Sequence, residues 1–178
     1  MAYHQPVLLN EAIEGLNIRP SGVYIDATFG GGGHAKEILK RLGQKGRLYA
    51  FDQDEEAMGN VPDDRRIIFT RGNFRFIENY MRYYGISAVD GIFADLGVSS
   101  RHFDTAERGF SYRFDAPLDM RMNRQSKLTA AKVVNEYAQA DLERILKDYA
   151  EIKNNKKIAE SIITMRTNGE ISTTGDLF

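Results

Sequence analysis

The segment VYIDATFGGGG, residues 23–33, decides the fold of this 178-residue chain. Its first seven residues are mostly apolar and partly β-branched, which predicts a short strand, and four consecutive glycines then predict a tight turn. Beyond the turn, Ala35, Ile38, Leu39 and Leu42 recur at the spacing of one helix face, and Gly43 follows where a helix would end. The segment therefore predicts a strand, a glycine turn and a helix with one buried stripe.

Three further apolar segments, residues 47–52, 66–70 and 89–95, predict three more strands, with helical patterns between them. The second of the four strands would end at Asp52 and the fourth at Asp95. This alternation predicts an α/β fold with right-handed parallel βαβ units in an open sheet. In such a sheet, ligands bind at the carboxyl ends of the strands.

The second half of the chain follows a different pattern. In residues 96–122 the apolar residues follow neither the helical nor the strand repeat, which predicts a long functional loop. Helical spacing resumes at Thr129. We expect one helix face to carry Leu142, Ile145, Leu146 and Tyr149. Ile158, Ile162 and Met165 are also spaced as residues of a helix.

Composition narrows the classes of function. The 24 basic and 25 acidic residues nearly cancel, so binding to RNA would need a local basic patch. The absence of cysteine excludes disulfides, thiolate zinc sites and cysteine nucleophiles. Neither a signal peptide nor an apolar run of 18 residues is present, which predicts a soluble, cytoplasmic protein without a membrane partner.

The glycine turn fits two classes of ligand. Gly30, Gly32 and Ala35 match the dinucleotide pattern, and Asp52 follows at the distance expected for an acid that binds a ribose. An NAD-type dinucleotide and S-adenosylmethionine share this geometry. Asp26 favours the latter, because an anion before the turn repels a pyrophosphate and attracts an ammonium and a sulfonium. A purely structural turn, and a catalytically silent nucleotide-binding or scaffold protein, remain alternatives.

Asp95 is the candidate catalytic residue. It precedes Leu-Gly-Val-Ser-Ser at the rim of the predicted sheet. A carboxylate at that place can orient an amine and accept its N–H hydrogen bonds, and methyl transfer to such an amine requires no strong base. An acidic cap of the following segment explains the position equally well.

Several motifs resemble one known family over nearly the whole chain. The chain resembles the 16S rRNA cytosine-N4 methyltransferases historically called MraW. The motifs, in order, are His4 to Leu9 with Glu11, Asp26 to Gly30, Gly32 to His34, Asp52 to Asp54, Asn73 and Phe74, Asp95 to Ser100, Glu107 to Ser111, and Pro117 to Met122.

The resemblance implies a Rossmann-like, S-adenosylmethionine-dependent methyltransferase that modifies the N4 amine of a decoding-region cytosine, with 16S rRNA in the 30S subunit as partner. It implies no metal. The cofactor-binding residues that the resemblance implies are Gly32, Gly33, His34, Asp52, Phe74, Asp95 and His102. The charge argument above adds Asp26. The family usually has glutamine at position 102. It also reads Tyr-Gly-Glu-Glu where this chain has Tyr149-Ala-Glu-Ile152, which puts the turn of the helical insert in doubt.

The resemblance further implies a first methyltransferase segment over residues 1–109, a helical substrate-recognition insert over residues 110–178, and missing C-terminal strands. We therefore expect an incomplete sheet whose exposed fourth strand favours a homodimer or aggregation. We also expect weak donor binding and little methylation.

RNA contacts are expected from seven basic residues. For Arg108 and Arg121, bracing of the loop is an equal alternative. The seven are Arg101, Arg108, Arg113, Arg121, Arg124, Lys127 and Lys132.

Overall fold

The computed structural model describes residues 6–177, apart from the side chains of residues 100 and 101. His4 and Gln5 of the first family motif therefore lie outside the described residues. The chain forms two compact units, Met1–Gly97 and Val98–Phe178. The predicted division between residues 109 and 110 stays a prediction.

A parallel four-stranded sheet organises the first unit, in the order β3-β2-β1-β4. The strands are β1 (Val23–Asp26), β2 (Arg47–Asp52), β3 (Ile67–Arg71) and β4 (Gly91–Phe93). The helices are α1 (Leu9–Gly15), α2 (Gly33–Arg41) and α3 (Ile77–Tyr83), with 3-10 helices over Glu55–Asn60 and Phe74–Phe76. The predicted α/β fold and parallel sheet are confirmed.

Two of the predicted strands are too long. β1 ends at Asp26 rather than Phe29, because the Asp26 carboxylate accepts the backbone N–H of Thr28 at 3.1 Å and bends the chain there. β4 ends at Phe93, two residues before Asp95, whose N–H donates to the Thr28 hydroxyl at 2.7 Å. A local side-chain hydrogen bond thus accompanies the end of β1, and a hydrogen bond between distant segments follows the end of β4.

Apolar side chains cover both faces of the sheet, which explains why the inner strands read as continuous apolar runs. One cluster packs the predicted stripe of α2 against β1 and β2, and confirms it through Ala35, Ile38, Leu39 and Leu42. A second cluster joins Phe51 of β2 to Met81 of α3 on the other face. Between β2 and β3, the expected helix is a 3-10 helix of only six residues.

The fourth strand lies at an edge of the sheet. Among the described residues, β1 is its only partner, and Ile92 is 55% exposed. Pairing of this edge with a second copy stays a prediction.

The second unit is mostly helical. It contains α4 (Ser100–Asp104), α5 (Ala130–Glu136), α6 (Gln139–Asp148) and α7 (Asn155–Asn168), with 3-10 helices over Ala106–Arg108 and Gly175–Leu177. Its core holds Leu118, Val134, Leu142, Ala159, Ile162 and Ile171. The Thr129 hydroxyl accepts the N–H of Lys132 and caps α5, as the resumed helical spacing predicts.

Some expectations for this unit are wrong. Residues 96–122 include one short α-helix and one 3-10 helix, so they are not a loop without structure. Tyr149 is 84% exposed because α6 ends at Asp148, and Ile158 lies at the edge of the buried stripe. The turn after α6 places Glu151, not Ala150, at a positive φ of 52°. Alanine in place of the family's glycine therefore causes no strain at position 150.

No helix among the described residues is both long and apolar enough to cross a membrane.

Candidate functional site

The glycine turn is held by two side chains. Gly30 and Gly32 have φ angles of 50° and 74°, a region that favours glycine. The N–H of Gly30 donates to Oδ2 of Asp52 at 2.7 Å, and Nδ2 of Asn60 donates to the Gly30 carbonyl at 3.0 Å. These contacts give the turn a defined conformation.

The N-terminal segment packs against the start of α2. A side chain at Gly33 would collide with the ring of Pro6, so only glycine permits this approach. His34 is buried, its Nε2 lies 3.1 Å from the carbonyl of Val7, and its ring packs on Phe93 with a centroid distance of 4.2 Å. The imidazole is therefore engaged inside the protein, and a backbone amide is what His34 can offer to a ligand.

Asp52 combines support of the turn with remaining acceptor capacity. Its Oδ2 accepts from Gly30, and its Oδ1 accepts the N–H of Asp54 at 2.8 Å. Each carboxylate oxygen has a further lone pair, and the side chain is only half-buried. Asp52 can thus hold the turn and still accept the hydroxyl groups of a ribose.

Asp26 is a buried acid with incomplete hydrogen bonding. Only 1% of the residue is exposed, and its Oδ2 has no hydrogen-bond partner among the described residues. Burial raises the pKa of Asp26 to about 7, against the hydrogen bond from Thr28, and the nearby charges of Asp52 and Asp95 raise it further. A buried, unpaired carboxylate oxygen is costly, and a cationic ligand would relieve that cost.

Asp95 lies beyond the end of β4 and is exposed. Its negative charge adds to the raised pKa of Asp26. Its backbone N–H is held by the 2.7 Å hydrogen bond to Thr28, whose own N–H donates to Asp26. Asp95 is therefore accessible to an incoming group and adjacent to the turn.

Phe74 reaches the same edge of the sheet from β3. It begins a 3-10 helix capped by Asn73, whose Nδ2 donates to Oε1 of Gln53 at 3.1 Å. This contact brings Phe74 beside the end of β2, and its ring is 39% exposed. An exposed ring at that position is suited to stacking on an aromatic base.

His102 belongs to the second unit. Its Nδ1 accepts the N–H of Ser99 at 3.1 Å, and its ring packs against Phe110 with a centroid distance of 5.1 Å. These contacts give the histidine a local role at the start of α4. The other expected site residues, from Asp26 to Asp95, lie in the first unit, and the structure brings them to the carboxyl ends of its strands.

Two arginines of the second unit brace the chain. Arg108 is buried and donates to the carbonyl of Arg121 at 2.9 Å. Arg121 pairs with Asp119 at 2.6 Å, and the arginine lowers the pKa of the Asp119 carboxyl. The geometry favours bracing over RNA contact for both. The remaining described basic residues of the predicted set lie at the surface: Arg113, Arg124, Lys127 and Lys132. Of these, Arg113 pairs with Asp104.

Sequence reasoning missed Thr28 and Asn60 as parts of the site. Thr28 connects Asp26 to Asp95, and its position between the strand and the glycines was the available signal. Asn60 contacts the turn from 30 residues away, and no local pattern marks it.

The three carboxylates near the turn fit a cationic nucleoside ligand. Asp52 contacts the turn, and Asp26 and Asp95 are connected through Thr28 before it. Within the described part of the chain no ion pair involves any of the three. The orphaned Oδ2 of Asp26 could accept a hydrogen bond or face a cation. A pyrophosphate would add negative charge to this cluster, whereas an ammonium and a sulfonium would compensate it.

Comparison with known proteins gives consistent matches. The family model of the MraW methylase family matches residues 1–178. The "Ribosomal RNA small subunit methyltransferase H" of Phocaeicola vulgatus is 56% identical to this chain over 174 residues. The match covers 98% of this chain and 57% of that protein. The relative from Flavobacterium johnsoniae is 55% identical over 177 residues, covering 99% and 59%. The chain thus spans less than three fifths of the length of these relatives.

A solved putative methyltransferase from an antibiotic biosynthesis pathway of Anabaena variabilis is 14% identical. The match covers 81% of this chain and 60% of that chain, with a TM-score of 0.36.

Proposed function

The chain belongs to the MraW methylase family, and from that premise we propose that the protein is an S-adenosylmethionine-dependent methyltransferase. Its proposed substrate is the N4 amine of a cytosine in the decoding region of 16S rRNA, within the 30S subunit. Family membership confirms the resemblance drawn from the motifs and does not favour the nicotinamide-dependent alternative.

The residues around the glycine turn would hold the methyl donor. We assign the ribose hydroxyls to Asp52, the adenine face to Phe74, and the cationic methionine end to Asp26. Backbone groups of Gly32, Gly33 and His34 would line the turn, and His102 is a further proposed cofactor-binding residue. When bound, the donor supplies an electrophilic methyl group on a sulfonium.

Asp95 is the proposed catalytic residue. Its exposed carboxylate can accept N–H hydrogen bonds from the cytosine amine and orient the nitrogen lone pair toward the methyl group. The amine nitrogen becomes acidic once it carries the methyl group, so its extra proton can pass to water beside Asp95 without a strong base.

One observation carries the proposal: a buried carboxylate with an orphaned oxygen lies at the end of the strand before the glycine turn, the charges of Asp52 and Asp95 act on it, and no ion pair among the described residues compensates it. A site built for phosphate would have the opposite charge.

The 30S partner would meet the exposed basic residues of the second unit. Arg124, Lys127 and Lys132 lie on residues 124–132 and are all exposed, so their charges are accessible to phosphates. The overall net charge of −1 means that this local group, not a global field, would attract the RNA.

Calorimetric titration of the 178-residue chain with S-adenosylmethionine and, separately, NAD tests the donor assignment. We expect heat of binding with the former alone. Binding of NAD without binding of S-adenosylmethionine would contradict the proposal. Transfer of a tritiated methyl group to 30S subunits, compared with free 16S rRNA, then tests the substrate.

A further inference from the structure

A single threonine connects the turn that would hold the donor to the residue that would orient the amine. We propose that Thr28 is a positioning residue for Asp95. The inference rests on the proposed function for its catalytic consequence, whereas the contact itself is independent of it.

The end of β4 shows how Asp95 is held. The strand stops at Phe93, whose carbonyl accepts the N–H of Ala27 at 2.8 Å. The next backbone tie is the N–H of Asp95, which donates to the Thr28 hydroxyl at 2.7 Å. Leu96 and Gly97 follow as exposed residues. The Thr28 hydroxyl is thus the last anchor before the chain leaves the sheet.

Thr28 is itself held from the opposite side. Its N–H donates to Oδ1 of the buried Asp26 at 3.1 Å, and its side chain is half-buried. Because Asp26 is immobilised in β1, this bond fixes the backbone of Thr28 and with it the hydroxyl. A chain of two hydrogen bonds therefore runs from the core of the sheet to the backbone of Asp95.

The hydroxyl supplies the acceptor that holds the Asp95 amide in this arrangement. A backbone N–H needs an acceptor, and valine, which has the same shape as threonine, cannot provide one. Serine can provide one. The side chain of Asp95 would remain intact in Thr28→Val, but its backbone would lose the anchor that determines where the carboxylate lies.

The first test observes the contact directly. The amide resonance of Asp95 is recorded in the ¹⁵N–¹H spectrum of the unaltered chain and of Thr28→Val and Thr28→Ser. We expect Thr28→Val to move the amide proton upfield and to speed its exchange with solvent, and Thr28→Ser to retain both values. Thr28→Ala, which also removes the hydroxyl, serves if the valine variant does not fold.

A matched control is available in β3. The Thr70 hydroxyl lies 2.8 Å from the hydroxyl of Tyr84, so Thr70→Val removes a hydrogen bond of a threonine hydroxyl elsewhere in the sheet. This control should leave the Asp95 amide unchanged. An Asp95 amide that is also unchanged in Thr28→Val would overturn the proposal, whatever the activity of the protein.

The second test separates positioning from donor binding. Single-turnover methyl transfer to 30S subunits should fall at least roughly tenfold in Thr28→Val, while the Kd for S-adenosylmethionine changes less than about threefold and Thr28→Ser restores the rate. A rate within about twofold of the unaltered chain would overturn the positioning role. Absence of both transfer and S-adenosylmethionine binding by the unaltered chain would instead contradict the proposed function, and the amide resonance then decides the contact alone.

Discussion

Replacing Asp26 by asparagine should stabilise the protein above neutral pH and at the same time weaken its binding of the methyl donor. The carboxylate is buried, and its folded-state pKa is raised from 3.8 to about 7, first by desolvation. Between these two values the folded state binds more protons than the unfolded state, so stability decreases as the pH rises through this window. Above about pH 7 the full cost of the ionised group is present.

The magnitude follows from the two pKa values. At about 1.4 kcal/mol per pKa unit, the difference between 3.8 and about 7 corresponds to roughly 4 kcal/mol. The amide introduced by Asp26→Asn carries no charge, so the variant lacks this pH-dependent cost. The free energy of unfolding of the variant minus that of the unaltered chain should therefore grow by about 1.4 kcal/mol per pH unit between about pH 4.5 and 6.5. It should level off above about pH 7.5.

Urea unfolding followed by circular dichroism over this pH range measures the difference. Asp64→Asn is the matched control, because Arg66 lowers the pKa of Asp64 to about 2 and the residue stays ionised throughout. The contribution of Asp64 is present above pH 3.8 and is lost only as the pH falls toward 2, so its difference curve should be flat from about pH 5 to 8. A flat curve for Asp26→Asn as well would refute the reasoning.

Calorimetry provides the second half of this prediction. If Asp26 contacts the cationic end of the donor, the variant should bind S-adenosylmethionine more weakly at about pH 8 by about 1.5 to 3 kcal/mol, the range of a hydrogen bond to a charged group. Equal affinity in the stabilised variant would leave Asp26 without a role in donor binding.

Four further changes test other parts of the molecule. Asp52→Ala should weaken donor binding by roughly 1.5 to 3 kcal/mol in calorimetry, because a charged acceptor is lost; unchanged affinity would remove Asp52 from the site. Asp95→Ala should lower turnover by about a hundredfold with the fold retained by circular dichroism, and full turnover would refute its catalytic role. Lys127→Glu should weaken RNA binding and reduce its salt dependence by about one phosphate contact, measured by filter binding at several salt concentrations. Ile92→Lys should reduce self-association in sedimentation velocity, because a charge protects an exposed strand edge; a monomer before the change would show that the edge does not pair.

The four strands and the turn were predictable because their determinants are local. Apolar residues before the glycines, and the spacing of Ala35, Ile38 and Leu39 after them, are read within about 20 residues. The acids at positions 26 and 52 follow from the same kind of local pattern: Asp26 from its place before the glycines, and Asp52 from the end of its strand.

What the sequence could not predict depends on contacts between distant segments. Asn60 fixes the turn from a separate 3-10 helix, and Asp95 leaves β4 early because its N–H finds the hydroxyl of Thr28, 67 residues away. Tyr149 matches the helical period but lies just after the last residue of α6, where the chain no longer follows the buried face. Periodicity describes one element at a time, whereas these features depend on its neighbours.

The three acids around the turn are explained better by a ligand than by the fold. A carboxylate that serves only the fold is usually paired or well hydrogen-bonded, as Asp64 is with Arg66. Asp26 instead keeps one oxygen orphaned among the described residues, and the neighbouring charges of Asp52 and Asp95 raise its pKa further. Ionised Asp26 therefore destabilises the fold, and a positive group bound beside it would offset that cost. The cost of burying Asp26 is therefore the same electrostatic feature that would select a sulfonium and an ammonium over a pyrophosphate.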